Sequence, residues 1–90
     1  MSDMPRLTGT VVAAGRPAAW AYVQVRNLVG DFQGEVRADG DGRFLLYPTP
    51  GRWRLVAWAP GRGHTEQEIT VAAADADVQL ELTEQVEVRT

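Results

Sequence analysis

The stretch Pro50-Gly51-Arg52-Trp53-Arg54-Leu55-Val56-Ala57-Trp58-Ala59-Pro60-Gly61 contains the clearest strand pattern in this chain of 90 residues. Between its two Pro-Gly turns, Trp53, Leu55 and Ala57 occupy alternate positions. Because successive side chains of a strand point to opposite faces, this period of two predicts a β-strand over Arg52–Ala59 with one buried face. The other face combines cationic, apolar and aromatic side chains: Arg52, Arg54, Val56 and Trp58.

The same alternation continues on both sides of this strand. Glycine and proline recur at short intervals, and the segments between them alternate, a pattern typical of a sandwich or barrel. We predict six further strands, near Arg6–Ala13, Ala19–Arg26, Phe32–Ala38, Arg43–Tyr47, Thr65–Val71 and Val78–Leu82. The apolar side chains expected to face inward are Leu7, Val11, Ala19, Ala21, Val23, Val25, Phe32, Val36, Phe44, Leu46, Ile69, Val71, Val78, Leu80 and Leu82. We predict a turn at Gly15-Arg16-Pro17 and a hairpin turn at Asp39-Gly40-Asp41-Gly42.

Composition indicates one folded domain without a covalent staple. The hydrophobic fraction is 44%, the net charge is −3, and the chain has no cysteine. All nine basic residues are arginines, and they form no basic stripe, so we expect no nucleic-acid partner. We expect residues 1–5 to be a short N-terminal tail, residues 6–83 a β-sandwich, and residues 84–90 a C-terminal tail or edge strand. We also expect a cytoplasmic protein that does not enter a membrane, because neither a signal peptide nor a spanning apolar stretch is visible.

Several motifs resemble the carboxypeptidase regulatory-like domains. They are Leu7-Thr8-Gly9-Thr10-Val11, Ala21-x-Val23-x-Val25, Asp39-x-x-Gly42-x-Phe44, Pro50-Gly51-x-Trp53-x-Leu55 and Ala59-x-Gly61. This resemblance implies a seven-stranded Greek-key sandwich of the transthyretin (prealbumin) type. The segments Gly30-Asp31-Phe32-Gln33-Gly34-Glu35-Val36 and Pro50-Gly51-Arg52-Trp53 further resemble a small uncharacterised bacterial family sometimes labelled as sulfur-metabolism proteins. That likeness implies an accessory role beside a sulfurtransferase.

The residues required by enzymes that resemble this fold are missing from the sequence. Transthyretin-like hydrolases of the urate pathway use more than one histidine and a C-terminal Tyr-Arg-Gly-Ser, whereas this chain has His64 alone and ends in Val88-Arg89-Thr90. A Ser/His/Asp triad is equally unsupported, because the only serine is Ser2. We therefore expect no enzymatic activity, no catalytic residues and no cofactor.

Metal binding is the weaker interpretation of the acidic residues. Asp39-Gly40-Asp41-Gly42 has the start of a calcium loop but lacks its later ligands. We interpret it as a turn, and we interpret Asp75 and Asp77 in the same way. His64 and the pair Glu66 and Glu68 are expected to be solvated, so we predict no metal site.

The outward faces of the second and fifth predicted strands form the best candidate for a binding surface. The resemblance implies that these strands are antiparallel neighbours, which would bring Trp20 near Trp58, Tyr22 beside Val56 and Gln24 beside Arg54. The candidate interaction surface consists of Trp20, Tyr22, Arg26, Arg52, Arg54, Val56 and Trp58. Tryptophan, tyrosine and arginine are the residue types enriched at binding hot spots.

Three interpretations of this surface remain open. It forms a homodimer or docks a protein partner, it is covered by the C-terminal tail or a loop, or its aromatic side chains only stabilise the sheet. A separate hypothesis is a module that binds a carbohydrate or an aromatic anion by stacking on Trp20 and Trp58, with Arg52 and Arg54 steering the anion. The leading hypothesis is a non-catalytic interaction or scaffolding domain.

Overall fold

The computed structural model describes residues 5–83, which fold into two packed β-sheets and contain no helix. The eight strands are β1 (Leu7–Ala13), β2 (Arg16–Pro17), β3 (Tyr22–Arg26), β4 (Phe32–Arg37), β5 (Arg43–Leu46), β6 (Gly51–Ala59), β7 (Gly63–Val71) and β8 (Ala76–Leu82). Within this part of the chain there is accordingly no helix long and apolar enough to cross a membrane. The predicted C-terminal tail or edge strand, residues 84–90, lies outside the described residues.

The first sheet is built around β1. Strand β8 runs parallel to β1 along its whole length, from Leu7 opposite Ala76 to Ala13 opposite Leu82. Because β8 occupies one edge of β1, the two antiparallel partners β5 and β2 share its other edge. The second sheet has the order β4-β3-β6-β7, and all its neighbouring strands are antiparallel. The predicted pairing of the second and fifth strands, now β3 and β6, is confirmed.

The core is entirely apolar among the described residues and follows the predicted alternation except at Ala19 and Phe32, which were predicted to face inward and are not part of it. Its buried members are Leu7, Val11, Ala18, Ala21, Val23, Val25, Ala38, Phe44, Leu46, Leu55, Ala57, Ala59, Ile69, Val71, Leu80 and Leu82. Val36, Trp53 and Val78 pack against the margin of this cluster. Each fully buried large aliphatic side chain contributes about 1.5–3 kcal/mol, so this burial is the main stabilising term.

Strand β2 was not predicted, and it raises the number of strands from seven to eight. The turn itself lies at Ala14 and Gly15, which have φ angles of 52° and 78°. Two consecutive residues with positive φ form the tight hairpin that matches the twist of its strands. Arg16 and Pro17 then pair with Ala13 and Val12, so they belong to a short edge strand and not to the turn.

The predicted strand Ala19–Arg26 begins later than its alternation suggests. Trp20 has a φ of 63°, a left-handed conformation, and its amide donates to the Asp39 carbonyl at 3.0 Å. Strand β3 therefore starts at Tyr22. The prediction that Trp20 belongs to this strand is wrong, because the chain turns at Ala19–Trp20 before it enters the sheet.

A β-bulge reverses the orientation of Phe32. Val25 pairs with Gly34, but the next residue, Arg26, pairs with Phe32, so Gln33 is an extra residue in β4. An inserted residue shifts the alternation by one position. The prediction that Phe32 faces inward is therefore wrong: its side chain is 56% exposed.

The Asp39–Gly42 turn connects the two sheets and is not a hairpin. It joins β4 of the second sheet to β5 of the first. The Asp39 carboxylate accepts hydrogen bonds from the backbone amides of Asp41 at 2.8 Å and Arg43 at 2.9 Å. Gly42 has a φ of 74°, and its carbonyl accepts from the Val11 amide at 2.7 Å. The two Asp39 bonds close the turn, and the bond from Val11 attaches it to β1 at the centre of the first sheet.

We expect Gly42→Ala to destabilise the protein more than Gly15→Ala. The two glycines have similar φ angles of 74° and 78°, but a Cβ on Gly42 would lie 2.5 Å from the Val11 carbonyl oxygen, whereas Gly15 faces open space. A left-handed conformation alone costs an L-residue about 1–2 kcal/mol, and overpacking adds roughly 1–3 kcal/mol. Urea unfolding measures both losses. Equal losses would contradict the steric role of Gly42.

Asp39 should contribute to an acid-sensitive part of the stability. The backbone amides of Arg43 and Asp41 lower the pKa of Asp39 below its ordinary 3.8. A carboxyl whose pKa is lower in the folded state stabilises the fold above its unfolded pKa and loses that contribution as the pH falls through its folded pKa. We therefore expect Asp39→Asn to flatten the decline of the unfolding free energy between about pH 5 and pH 2. Asp41→Asn is the matched control and should not reproduce this flattening, because the Asp41 carboxylate accepts neither of these two backbone hydrogen bonds.

Candidate functional site

The outward side of the second sheet, called here the outer face, is ordered into rows by the strand register. One row contains Arg37, Tyr22, Trp58 and His64, from β4, β3, β6 and β7 in turn. The next contains Glu35, Gln24, Val56 and Glu66. A third contains Phe32, Arg26, Arg54 and Glu68, and beyond it Arg52 lies opposite Thr70.

The first row carries a continuous series of aromatic and cationic contacts. Tyr22 and Trp58 are stacked, with ring centroids 5.3 Å apart and an angle of 17° between the planes. On the other side of Tyr22, the Arg37 guanidinium carbon lies 5.1 Å from the Tyr22 ring centroid and 5.9 Å from that of Trp20. We call Trp20, Arg37, Tyr22 and Trp58 the aromatic row.

One hydrogen bond and two cation–π contacts hold the Arg37 side chain in place. Its Nε donates to the Trp20 carbonyl oxygen at 3.1 Å, which ties the left-handed turn to β4. Cation–π contacts at exposed sites contribute about 0.5–1 kcal/mol each. The row therefore holds its own geometry, and Tyr22 has a neighbour against each face of its ring.

The other rows form a polar network that ends in arginines. Gln24 donates to the Glu35 carboxylate at 3.1 Å and accepts from Arg26 at 2.8 Å. Arg26 also donates to the Gly30 carbonyl at 2.7 Å, which anchors the β3–β4 loop. Arg52 forms an ion pair with Glu68. The register places Arg54 between Arg26 and Glu68.

The predicted surface residues do share one face, but their register differs from the expectation by two residues. Tyr22 lies opposite Trp58, Gln24 opposite Val56, and Arg26 opposite Arg54. The predicted pairs of Trp20 with Trp58, Tyr22 with Val56, and Gln24 with Arg54 are therefore wrong. The turn at Trp20 removes this residue from the strand, and Tyr22 is the first residue of β3 to pair with β6. Trp20 instead borders the face, 55% exposed, with Arg37 between it and Tyr22.

Arg37 is the site residue that the sequence reasoning missed. The alternation of the third predicted strand places Glu35 and Arg37 on one face, but only the register of β3 with β4 shows that Arg37 lies against Tyr22.

A second feature missed from the sequence is an apolar flank, where the edge strands β4 and β5 approach each other. Exposed large apolar side chains at or beside this flank are Leu28, Val29, Phe32, Leu45 and Tyr47.

Two clefts open on this β4–β5 flank. One, of about 320 Å³, is lined mainly by Val25, Gly34, Leu46, Tyr47 and Trp53. The other, of about 480 Å³, is lined by Thr8, Val36, Arg37, Asp39, Arg43, Phe44 and Leu45. The flank thus exposes the margin of the core between the two sheets.

The remaining acidic candidates act within the fold. Asp75 accepts from the Arg6 amide at 2.9 Å, and Asp77 accepts from the Thr8 hydroxyl at 2.6 Å, so both fasten the start of β1 to β8. His64 is exposed on β7, where its backbone bonds to Thr83. Among residues 5–83, no group of three or more histidine, aspartate or glutamate side chains is arranged to hold a metal ion.

We expect the stack of Tyr22 on Trp58 to show a measurable coupling energy. In a double-mutant cycle of Tyr22→Leu and Trp58→Leu, the pair should be coupled by about 0.5–1.5 kcal/mol beyond its burial. Gln24→Leu with Val56→Leu is the matched control, because these residues face each other on the same two strands without stacking. Urea unfolding provides each free energy. Equal coupling in the two cycles would show that the stack has no energetic role.

Comparisons with known proteins agree with this architecture. Residues 6–83 match the carboxypeptidase regulatory-like domain family. A DUF3823 family protein from Parabacteroides merdae is similar in structure, with a TM-score of 0.69 and 22% identity over 90% of this chain. The present chain spans 47% of that protein.

A Klebsiella pneumoniae 5-hydroxyisourate hydrolase is also similar, with a TM-score of 0.63 and 14% identity over 88% of this chain and 92% of the hydrolase. At these identities the two structures show a shared fold, here one similar to the transthyretin-like sandwich. No curated protein sequence matches the chain. The family match covers nearly all the described residues, and the chain belongs to the carboxypeptidase regulatory-like domain family.

Proposed function

We propose that this domain is a non-catalytic interaction module that docks a protein partner on its outer face. The observation that carries the proposal is the aromatic row, in which an exposed tryptophan, an arginine and two half-buried aromatic rings form one ordered ridge. Trp, Tyr and Arg are the residues that most often dominate binding energy at interfaces. A ridge ordered in advance also loses less side-chain entropy when it binds.

The arginines at the other end of the face would contribute orientation. Arg26 is held by Gln24 and Gly30, and Arg52 by Glu68, so their guanidinium groups are positioned before any partner arrives. Charge on the rim of an interface affects association rate and specificity more than affinity. We therefore infer a partner with an apolar centre and an acidic margin.

The absence of catalysis is part of this proposal. It is supported by the residues available, because the chain has one histidine, no cysteine and no lysine to act as base or nucleophile. The His64 side chain is exposed on β7, and Asp75 and Asp77 are engaged in bonds within the fold. A cytoplasmic location, a Greek-key description of the topology and an accessory role beside a sulfurtransferase remain predictions.

Small-ligand binding between Trp20 and Trp58 has less support from the geometry. Arg37 and Tyr22 lie between the two tryptophans, so these rings do not form a joint platform. Tyr22 has neighbours on both ring faces, and one face of Trp58 is taken by Tyr22. A sugar or aromatic anion needs an open ring face for stacking, whereas a protein partner can pack on the exposed ring edges.

Replacing Trp20 and Trp58 together by serine should remove partner binding and keep the fold. Tyr47→Ser is the matched control, because Tyr47 is 56% exposed, close to the 55% of Trp20, but follows β5 of the first sheet. Immobilised full chains would be presented to a lysate of the source organism and the captured proteins quantified by mass spectrometry. A partner should bind the unaltered chain and Tyr47→Ser, and should lose at least about tenfold affinity for the double variant, or 1.4 kcal/mol.

Circular dichroism and urea unfolding would verify that both variants are folded. The purified partner should then reproduce the affinity difference by titration. Capture that survives the two tryptophan substitutions, or that is lost equally with Tyr47→Ser, would contradict docking on the outer face.

A further inference from the structure

Strand β4 forms an open edge of the second sheet. Among residues 5–83 it pairs with β3 alone. The Ala38 amide donates towards β3, to the Ala21 carbonyl at 2.7 Å, and backbone groups of an antiparallel strand alternate in direction. The amides and carbonyls of Glu35 and Arg37 therefore point away from β3. An exposed row of this kind is a template for pairing with another strand.

The charged side chains on the β4 edge of one copy are complementary to those on the same edge of a second copy. Glu35 and Arg37 are two residues apart and both project on the outer face, where Glu35 lies opposite Gln24 and Arg37 opposite Tyr22. If two copies pair their β4 strands in antiparallel fashion about Val36, Glu35 of each copy lies opposite Arg37 of the other. The same register joins the free backbone groups of these two residues in hydrogen-bonded pairs.

Neighbouring registers are unfavourable. If the two-fold axis that relates the two strands passes through Glu35, the Glu35 side chains of the two copies lie opposite each other. If it passes through Arg37, the two Arg37 side chains do so. In both registers like charges meet. A shift by a single residue would place outward side chains opposite inward ones. Among the registers compared, only the one centred on Val36 satisfies both the charges and the alternation.

The other long edges of the sandwich oppose self-pairing. The outward side chains of β7 include Glu66 and Glu68, and those of β8 include Asp77 and Glu81. An antiparallel pair of either strand with its own copy would bring carboxylates together, a recognised way of protecting an edge. Strand β4 differs because its charges alternate in sign.

The flank beside β4 also offers a partly apolar surface to a second copy. The cleft of about 480 Å³ on the β4–β5 flank is lined by Val36, Phe44 and Leu45, which is 43% exposed, and by four polar or charged residues: Thr8, Arg37, Asp39 and Arg43. Pairing about Val36 places the axis at this cleft. The second copy would therefore cover the margin of the core that the single chain leaves open.

We propose that β4 is a homodimer seam, in which two copies pair antiparallel about Val36 and merge their second sheets into one sheet of eight strands. The two outer faces then lie side by side on one surface, so a partner with two equivalent sites would gain from their proximity. This inference extends the proposed function but depends on the open edge of β4, and Arg37 alone belongs to both the aromatic row and the seam. A dimer that forms without docking a partner would separate the two.

Charge reversal provides a decisive test. In Glu35→Arg both copies carry arginine at each paired position, and in Arg37→Glu both carry glutamate, so each variant should weaken the dimer by at least about tenfold. An equimolar mixture of the two variants restores opposite charges across the seam and should form a mixed dimer. The double variant Glu35→Arg/Arg37→Glu should also dimerise. Sedimentation equilibrium should show the unaltered chain rising from 9.9 kDa towards twice that mass with concentration.

Trp20→Ser/Trp58→Ser should leave this mass unchanged, which separates the seam from the docking face. Circular dichroism would verify the fold of each variant. A chain that stays at 9.9 kDa at all concentrations, or single variants that fail to associate when mixed, would overturn the proposal.

Cross-linking tests the register independently. Opposed residues in a non-hydrogen-bonded pair have Cα atoms about 4.5 Å apart, within disulfide range. Because the chain has no cysteine, Val36→Cys should give a covalent dimer under mild oxidation. Glu35→Cys is the matched control in the same strand and should give at least about tenfold less dimer, since its copies are displaced by two residues. The reverse preference would place the axis at Glu35 and contradict the register.

Discussion

The close packing of Phe44 on Gly9 is the contact on which the rest of the sandwich depends. The two residues face each other across β1 and β5, and a Cβ on Gly9 would lie 2.2 Å from Phe44 Cζ. The missing side chain therefore admits an aromatic ring at the centre of the first sheet, where Phe44 is 5% exposed. This contact positions β5 against β1. Since β5 directly follows the Asp39–Gly42 crossover and borders the β4–β5 flank, the contact also affects the position of both.

Strand β6 shows how one strand serves both the core and the surface. Trp53 packs against the core margin, and its Nε1 donates to the Thr49 carbonyl at 2.8 Å. Trp58, five positions later, projects on the outer face and stacks on Tyr22. The opposite orientations follow from the odd spacing between the two residues. The same strand thus holds the sandwich together and presents the ring that completes the aromatic row.

Arg37 connects the two proposed uses of the second sheet. Its guanidinium joins Trp20 and Tyr22 within the chain, while its backbone lies on the open edge of β4. The bulge at Gln33 limits that edge to the residues after it, and it turns Phe32 outward. Docking on the face and pairing at the seam are therefore adjacent, and a change at Arg37 affects both.

The sequence by itself determined the all-β class, the place of seven strands and most of the inner faces, because alternation within a strand is a local property that burial enforces. It also identified the aromatic and arginine side chains of β3 and β6 as residues of one face. Only the tertiary structure decided that Trp20 leaves β3, that Phe32 points outward, that Arg16–Pro17 pairs with β1, and that Arg37 joins the row. Those features depend on register, on one inserted residue and on left-handed turns. Except for the local β1–β2 hairpin, they are set by strand pairing and hydrogen bonds between separate segments of the chain, which the alternation of a single strand does not encode.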